Sequence, residues 1–326
     1  MFSKIVSLFL NVNNAEASFD KRGFDRSNPE RMLHLETVGY RFLDGYRKGL
    51  RIANKDVLAG VLNEEEGMYR GFAFEGMAMA KTMLEILGLI RKGYLKTFMG
   101  TSAGRDHIYM LHVGAGWAFA RLRLDVEKRM IAFDPVLRWL IVDGYGFHEA
   151  YFKTKAIVDE KLLPRRLKDP YCIRVFYQGV GRALWFVHAG SATQISKAIS
   201  AFDTSYRNDL WSGVGLACAY AGGVPNTEIS QLRACAGNSY AHLAQGVVFA
   251  ATARVTASIM QLHTEAACNI ICKLSSTEAA ALAAHSLNKT GRMPVPENRY
   301  EAWRSAIRMH FDKKTANEKI PKASAG

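Results

Sequence analysis

Apolar and polar positions follow the period of a helix in segment after segment of this chain. In ATQISKAISAF, the apolar residues Ile195, Ala198, Ile199 and Phe202 recur at spacings of three and four, which predicts an amphipathic helix. PERMLHLETVGYRFLDGYRKGL places Leu33, Val38, Phe42 and Leu43 near one face, behind an Asn28-Pro29 start signal. LSSTEAAALAAHSLNKTG predicts an Ala-rich helix with Ser276 or Thr277 as its N-cap, and NRYEAWRSAIRM, Asn298 to Met309, a last one. EEEG (64–67), GTSAGR (100–105) and LPRRLKDP (163–170) read as loops. The longest apolar run, Ala241 to Met260, is broken by His242, Gln245 and Arg254, so no segment reaches the ~20 residues of a membrane-spanning helix.

On this helical pattern lies a second one, a Gly-x-small step that recurs six times: FEGMAM (Gly76, Ala78), HVGAGW (Gly114, Gly116), VDGYGF (Gly144, Gly146), YQGVGR (Gly179, Gly181), WSGVGL (Gly213, Gly215) and AQGVVF, where Val248 follows Gly246. The first glycines are 38, 30, 35, 34 and 33 residues apart, the period at which two-helix units stack into a solenoid or toroid. A helix-interior glycine costs roughly 1 kcal/mol against alanine, so the repeated pairs need compensation, and close helix packing provides it. A phosphate-binding loop is the rival reading, but no copy supplies the third glycine of a dinucleotide fingerprint and no Walker sequence occurs. The fold expected is all-α, a helical-repeat array of about six helix pairs: residues 1–70 form a helical N-terminal cap, 71–311 the repeat body and 312–326 a basic disordered tail.

The 326 residues are 49% hydrophobic, enough for a substantial core, with eight prolines and no Pro/Ser-rich linker. A formal charge of +13 raises nucleic acid, an anionic membrane or an acidic protein as partners, yet the cations are scattered and no nucleic-acid module accompanies them. A solvated basic surface is the default, and nucleic acid is not expected as a partner. Five widely spaced cysteines, and an N-terminal FSKIVSLFLNVNNA without a convincing n-region or small-residue cleavage site, point to reduced thiols and a cytoplasmic location.

The residue before each first glycine is Glu75, Val113, Asp143, Gln178, Ser212 or Gln245, polar in five of six cases. If the first helices of all units line one surface, these groups converge on a channel together with His112, Trp117, Arg182, Trp185 and Trp211. Asp143, His148 and Glu75 are the candidate catalytic groups, since a carboxylate and an imidazole suffice for acid–base work. DGYGFHE concentrates an acid, two aromatics and a His-Glu pair, although a spacing of five is a poor same-face distance on a helix. The alternative is that these polar residues cap helices or bridge units. His263, Cys268 and Cys272 raise a metal site but read better as buried small residues, since paired zinc knuckles are missing. Ser102 in GTSAGR is no nucleophile elbow. No metal and no cofactor is called for.

The strings RGFAFEGMAMA, HIYMLHVGAGWAFARL, RWLIVDGYGFHEAYF, QGVGRALWFV, DLWSGVGLACAYAGG and HLAQGVVFAATAR resemble those of the bacterial domain-of-unknown-function family DUF 1702, from about Phe19 to Met309. Members are commonly called enediyne biosynthesis proteins, because they are encoded beside enediyne-type polyketide synthases. The resemblance implies an accessory role in antibiotic biosynthesis and no particular reaction. Two expectations follow. In one, the channel binds a hydrophobic polyene or polyketide intermediate and isomerises or cyclises it. In the other, the same surface is a scaffold that grips the synthase or another pathway protein. An uncapped repeat face would favour a homodimer.

Overall fold

A computed structural model describes residue 10, residues 12–291 and residues 298–318, with side chains described as far as 312. The chain is all-helical: 77% is helix and, among the described residues, no strand occurs. Nine helices of fourteen residues or more carry the architecture. They are α1 (Pro29–Arg51), α2 (Gly67–Ile86), α3 (Ile108–Arg121), α4 (Trp139–Phe152), α5 (Pro170–Val187), α6 (Thr204–Ala221), α7 (Tyr240–Thr256), α8 (Ser276–Thr290) and α9 (Arg299–Glu318). Each of α1 to α7 packs on the helix that follows it in this series, and α9 packs on α7 and α8.

Burial explains why the long helices carry little amphipathic pattern. In α4 every residue from Trp139 to Tyr151 is buried, as expected of a helix that is apolar all round and lies inside the protein. The shorter helix Ala192–Ser200 buries Ala192, Ile195 and Ile199; of the expected stripe, Ala198 is half-buried and Phe202 is buried just beyond the helix end.

The glycine steps set the spacing between the long helices. The bare Cα of the first glycine lies on a backbone carbonyl of the preceding helix: Gly76 on Phe42, Gly114 on Glu75, Gly144 on Val113, Gly179 on Asp143, Gly213 on Gln178 and Gly246 on Ser212. The second glycine lies on a carbonyl of the following helix: Gly116 on Ile141, Gly146 on Phe176, Gly181 on Leu210 and Gly215 on Leu243. Helix α1 obeys the same rule through Gly45, which lies on Ala73. Leu43 stands where the others have a first glycine, which hides the step in the sequence.

Distant parts of the series also meet. Arg254 at the end of α7 donates to the carbonyls of Gly67 and Met68 at the start of α2 (both 3.0 Å) and of Tyr220 in α6 (2.6 Å). Arg31 of α1 pairs with Glu228 (2.6 Å).

Local boundaries differ from the sequence expectation in several places, and α9 runs on to Glu318, past Met309 and into the stretch expected to be a disordered tail. GTSAGR contains a short helix, Ser102–Asp106, because Thr101 Oγ1 caps it by accepting from Gly104 N (3.1 Å). The N-cap of α8 is Ser275 rather than Ser276 or Thr277: its extended backbone lets it exchange hydrogen bonds with Glu278 in a capping box. Most of the stretch read for a leader (1–9 and 11) and the end of the basic tail (319–326) lie outside the described residues.

Candidate functional site

The glycine register decides where the buried polar side chains fall. Because each first glycine sits on the carbonyl of the residue before the first glycine of the preceding helix, those residues succeed one another across the series. Glu75, Asp143, Gln178, Ser212 and Gln245 are all buried, and buried polar groups need partners. They find them in one another. Gln178 Nε2 donates to Asp143 Oδ2 (2.7 Å), and Ser212 Oγ donates to Gln245 Oε1 (2.9 Å). Arg182, one turn beyond Gln178, donates to Asp143 Oδ1 and stands 3.9 Å from Glu75. Helix α9 completes the far end. Its buried Arg304 donates to Gln245 Oε1 (3.2 Å) and Asp209 Oδ1 (2.8 Å), and its Tyr300 hydroxyl accepts from Gln178 (3.3 Å).

At the other end, Glu75 and Arg182 line a partly open cavity of about 50 Å³. Phe42, Phe72, Trp117, Phe147, Tyr151 and Phe186 contribute to its walls. The Arg182 guanidinium lies over the Phe147 ring, 4.9 Å from its centroid, a favourable cation–π position. Burial drives the Glu75 pKa up; Arg182 opposes the rise, Asp143 adds to it and Trp117 lowers it, leaving the carboxyl at about 7. Burial works against the charge of Arg182, but Asp143 and Glu75 outweigh it and hold the guanidinium pKa above its ordinary value. A buried carboxyl half-ionised near neutrality, beside a fixed cation, can give or take a proton. Arg182 also borders a second, smaller cavity of about 30 Å³ with Asp143, Tyr220, Phe249 and Trp303.

The structure therefore brings Glu75, Asp143, Gln178, Arg182 and Gln245 into one network, and Trp117 into the cavity wall. It does not bring His148 to Asp143. Five residues carry a side chain about 140° round a helix, and His148 instead faces a smaller cavity and lies 3.4 Å from Glu149 Oε1. Three other residues depart from the expected common channel. His112 Nδ1 bonds to Ile108 O of its own helix (2.7 Å). The Trp185 indole donates to Gly222 O (3.0 Å). Trp211 is buried in α6 and borders none of the cavities described above.

His263 Nε2 meets Tyr220 O (3.2 Å), and Cys268 and Cys272 are buried. Among the described residues, no group of three or more His, Cys, Asp or Glu is placed to hold a metal ion. Sequence reading missed Arg304, Tyr300 and Asp209. Asp209 carried a usable signal, a charge one turn before Gly213 in a buried helix; Arg304 had none, because only the packing of α9 on α7 brings it inward.

An all-helical protein with an aromatic cavity and one buried, near-neutral carboxyl is the class that fold and site define. The chain belongs to the family described as protein of unknown function (DUF1702), which it matches over residues 1–311. No curated protein and no solved structure matches it, and no helix among the described residues is long and apolar enough to cross a membrane.

Proposed function

We propose that this chain is an accessory protein of enediyne-like polyketide biosynthesis that binds a planar, unsaturated, apolar intermediate in the aromatic cavity and moves a proton on it through Glu75. One observation carries the proposal: a partly open cavity with aromatic walls contains a buried carboxyl whose pKa is about 7. Aromatic faces and edges suit a conjugated chain, and apolar burial contributes about 25 cal/mol per Å². The Glu75 carboxylate takes an allylic proton and returns it to another carbon of the conjugated system. The double bonds shift and no atom is lost. Arg182 offsets the charge that develops on the ligand.

The biosynthetic setting rests on the resemblance of the glycine-flanked strings. The constant glycine register supports the finer architectural reading, a solenoid-like or toroid-like array of helix pairs, as part of the same proposal.

A fluorescence titration with cis-parinaric acid, a conjugated tetraene, tests the cavity. Saturable binding near the micromolar range, about −8 kcal/mol, is expected for the wild type and for Glu75→Gln, with Trp117→Ala weaker by about tenfold. No saturable binding would sink the proposal. The scaffold reading, a surface gripping a synthase or another pathway protein, would then take its place.

A further inference from the structure

The smaller cavity beside the aromatic one holds a second arrangement that the role of Glu75 does not use. It is bordered by Tyr46, Met79, Arg121 and His148, and it shares Phe42, Leu43, Trp117 and Phe152 with the larger cavity. Taking the larger cavity as a ligand site, we infer that His148, oriented by Glu149, is the proton-accepting group of an adjoining compartment, acting on an acidic C–H of an unsaturated acyl chain that reaches past Trp117.

Three buried atoms point to it. Among the described residues, Nε2 of His148 has no hydrogen-bond partner, and Nδ1 and Glu149 Oε1 meet only each other, 3.4 Å apart, although both residues are 3% exposed. Buried polar atoms are seldom left so. The ring is held in place by its edge contact with Trp117 (5.5 Å, 87°) and by Phe152 (4.7 Å). Glu149 is anchored through its other oxygen by Lys153 Nζ (2.6 Å). The 3.4 Å gap between His148 Nδ1 and Glu149 Oε1 is the loose spacing that catalytic pairs show before ligand binds. Once closed, Nδ1–H donates to the carboxylate and Nε2 is left as an acceptor.

Charge favours the same assignment. Burial lowers the His148 pKa, Glu149 acts against that, and Arg121 and Lys153 add to it, so the ring is neutral at neutral pH. The groups facing it are Glu149 and Lys153 of its own helix, Arg121 of α3 and Tyr46 of α1. In the reaction, the C–H bond between a carbonyl and a diene breaks. Its proton goes to Nε2 and its electron pair to the enolate oxygen. The imidazolium then returns a proton to the same carbon after trading its own with solvent, so that in D₂O this position exchanges. Atoms and electrons balance without an oxidant.

The test incubates the protein in D₂O with the N-acetylcysteamine thioester of 3,5-decadienoic acid. Mass spectrometry follows deuterium entering the carbon between carbonyl and diene, and displacement of cis-parinaric acid reports binding. Exchange by the wild type is expected, about 100-fold slower in His148→Gln with displacement unchanged. In Glu149→Gln, loss of the carboxylate that raises the His148 pKa shifts the acidic limb of the rate profile to lower pH. A thioester that displaces the probe, yet exchanges no faster with the wild type than with His148→Gln, overturns the inference and leaves the cavity reading standing. Absence of displacement refutes the cavity reading, and ¹⁵N-histidine NMR then decides for His148: an Nδ1–H tautomer supports its orientation by Glu149, and an Nε2–H tautomer overturns it.

Discussion

Replacing Gly179 with alanine tests the packing rule on which the site depends. A β-carbon at Gly179 would overlap Asp143 O and lie 2.7 Å from Phe147 N and 2.9 Å from Asp143 C. These are backbone atoms of α4, so no side-chain rotation relieves the clash. With van der Waals contact at about 3.5 Å or more, α5 must move from α4 by about 1.5 Å, opening gaps along the interface. Alanine gains up to about 1 kcal/mol of helix propensity, while overpacking in a close-packed interior costs typically 1–3 kcal/mol or more. Against unyielding backbone we expect a net loss of about 2–3 kcal/mol. At about 2.1 cal/mol/K per residue, a 3 kcal/mol loss lowers the Tm by roughly 4 °C. Gly60→Ala is the control: nothing lies within 4 Å of a β-carbon there, so propensity alone acts and the Tm rises by about 1 °C. Differential scanning calorimetry measures both. The reasoning is refuted if Gly179→Ala matches the wild type or shifts in the same direction as Gly60→Ala.

Other substitutions probe separate parts of the molecule. The Glu75 carboxyl, at about 7 against an ordinary 4.5, binds more protons folded than unfolded between those values. It therefore contributes about 3 kcal/mol that is fully present below pH 4.5 and lost as pH rises through 7. Urea unfolding of the wild type relative to Glu75→Gln should show that loss, and parallel curves would contradict the burial argument. Arg254→Met removes three hydrogen bonds from a buried guanidinium to carbonyls of α2 and α6, for an expected loss of about 3 kcal/mol; an unchanged urea midpoint would mean that these contacts do not tie the two helices. Ser275→Ala should cost about 1 kcal/mol and Ser276→Ala less, because only Ser275 belongs to the capping box; equal thermal shifts would refute the assignment of the cap.

The sequence by itself determined the helical class and the places where helices touch. The 3.6-residue period is local, and a glycine pair costs enough in a helix to mark a close approach wherever it recurs. It also marked the polar line Glu75, Asp143, Gln178, Ser212 and Gln245, since equivalent positions in a register keep equivalent directions. Leu43 shows the limit of that reading: α1 packs by the same rule through Gly45, but only one of its two small residues is present. What each polar group does was decided by tertiary structure. Asp143 is bound by Arg182 and Gln178, whereas Glu75 opens on a cavity and keeps its proton near neutrality. Arg304 reaches the network from the last helix, across 59 residues from Gln245. Helix type depends on neighbours along the chain, but a pKa, a cavity and an ion pair depend on which surfaces exclude water together, and that is set by contacts between segments far apart in sequence.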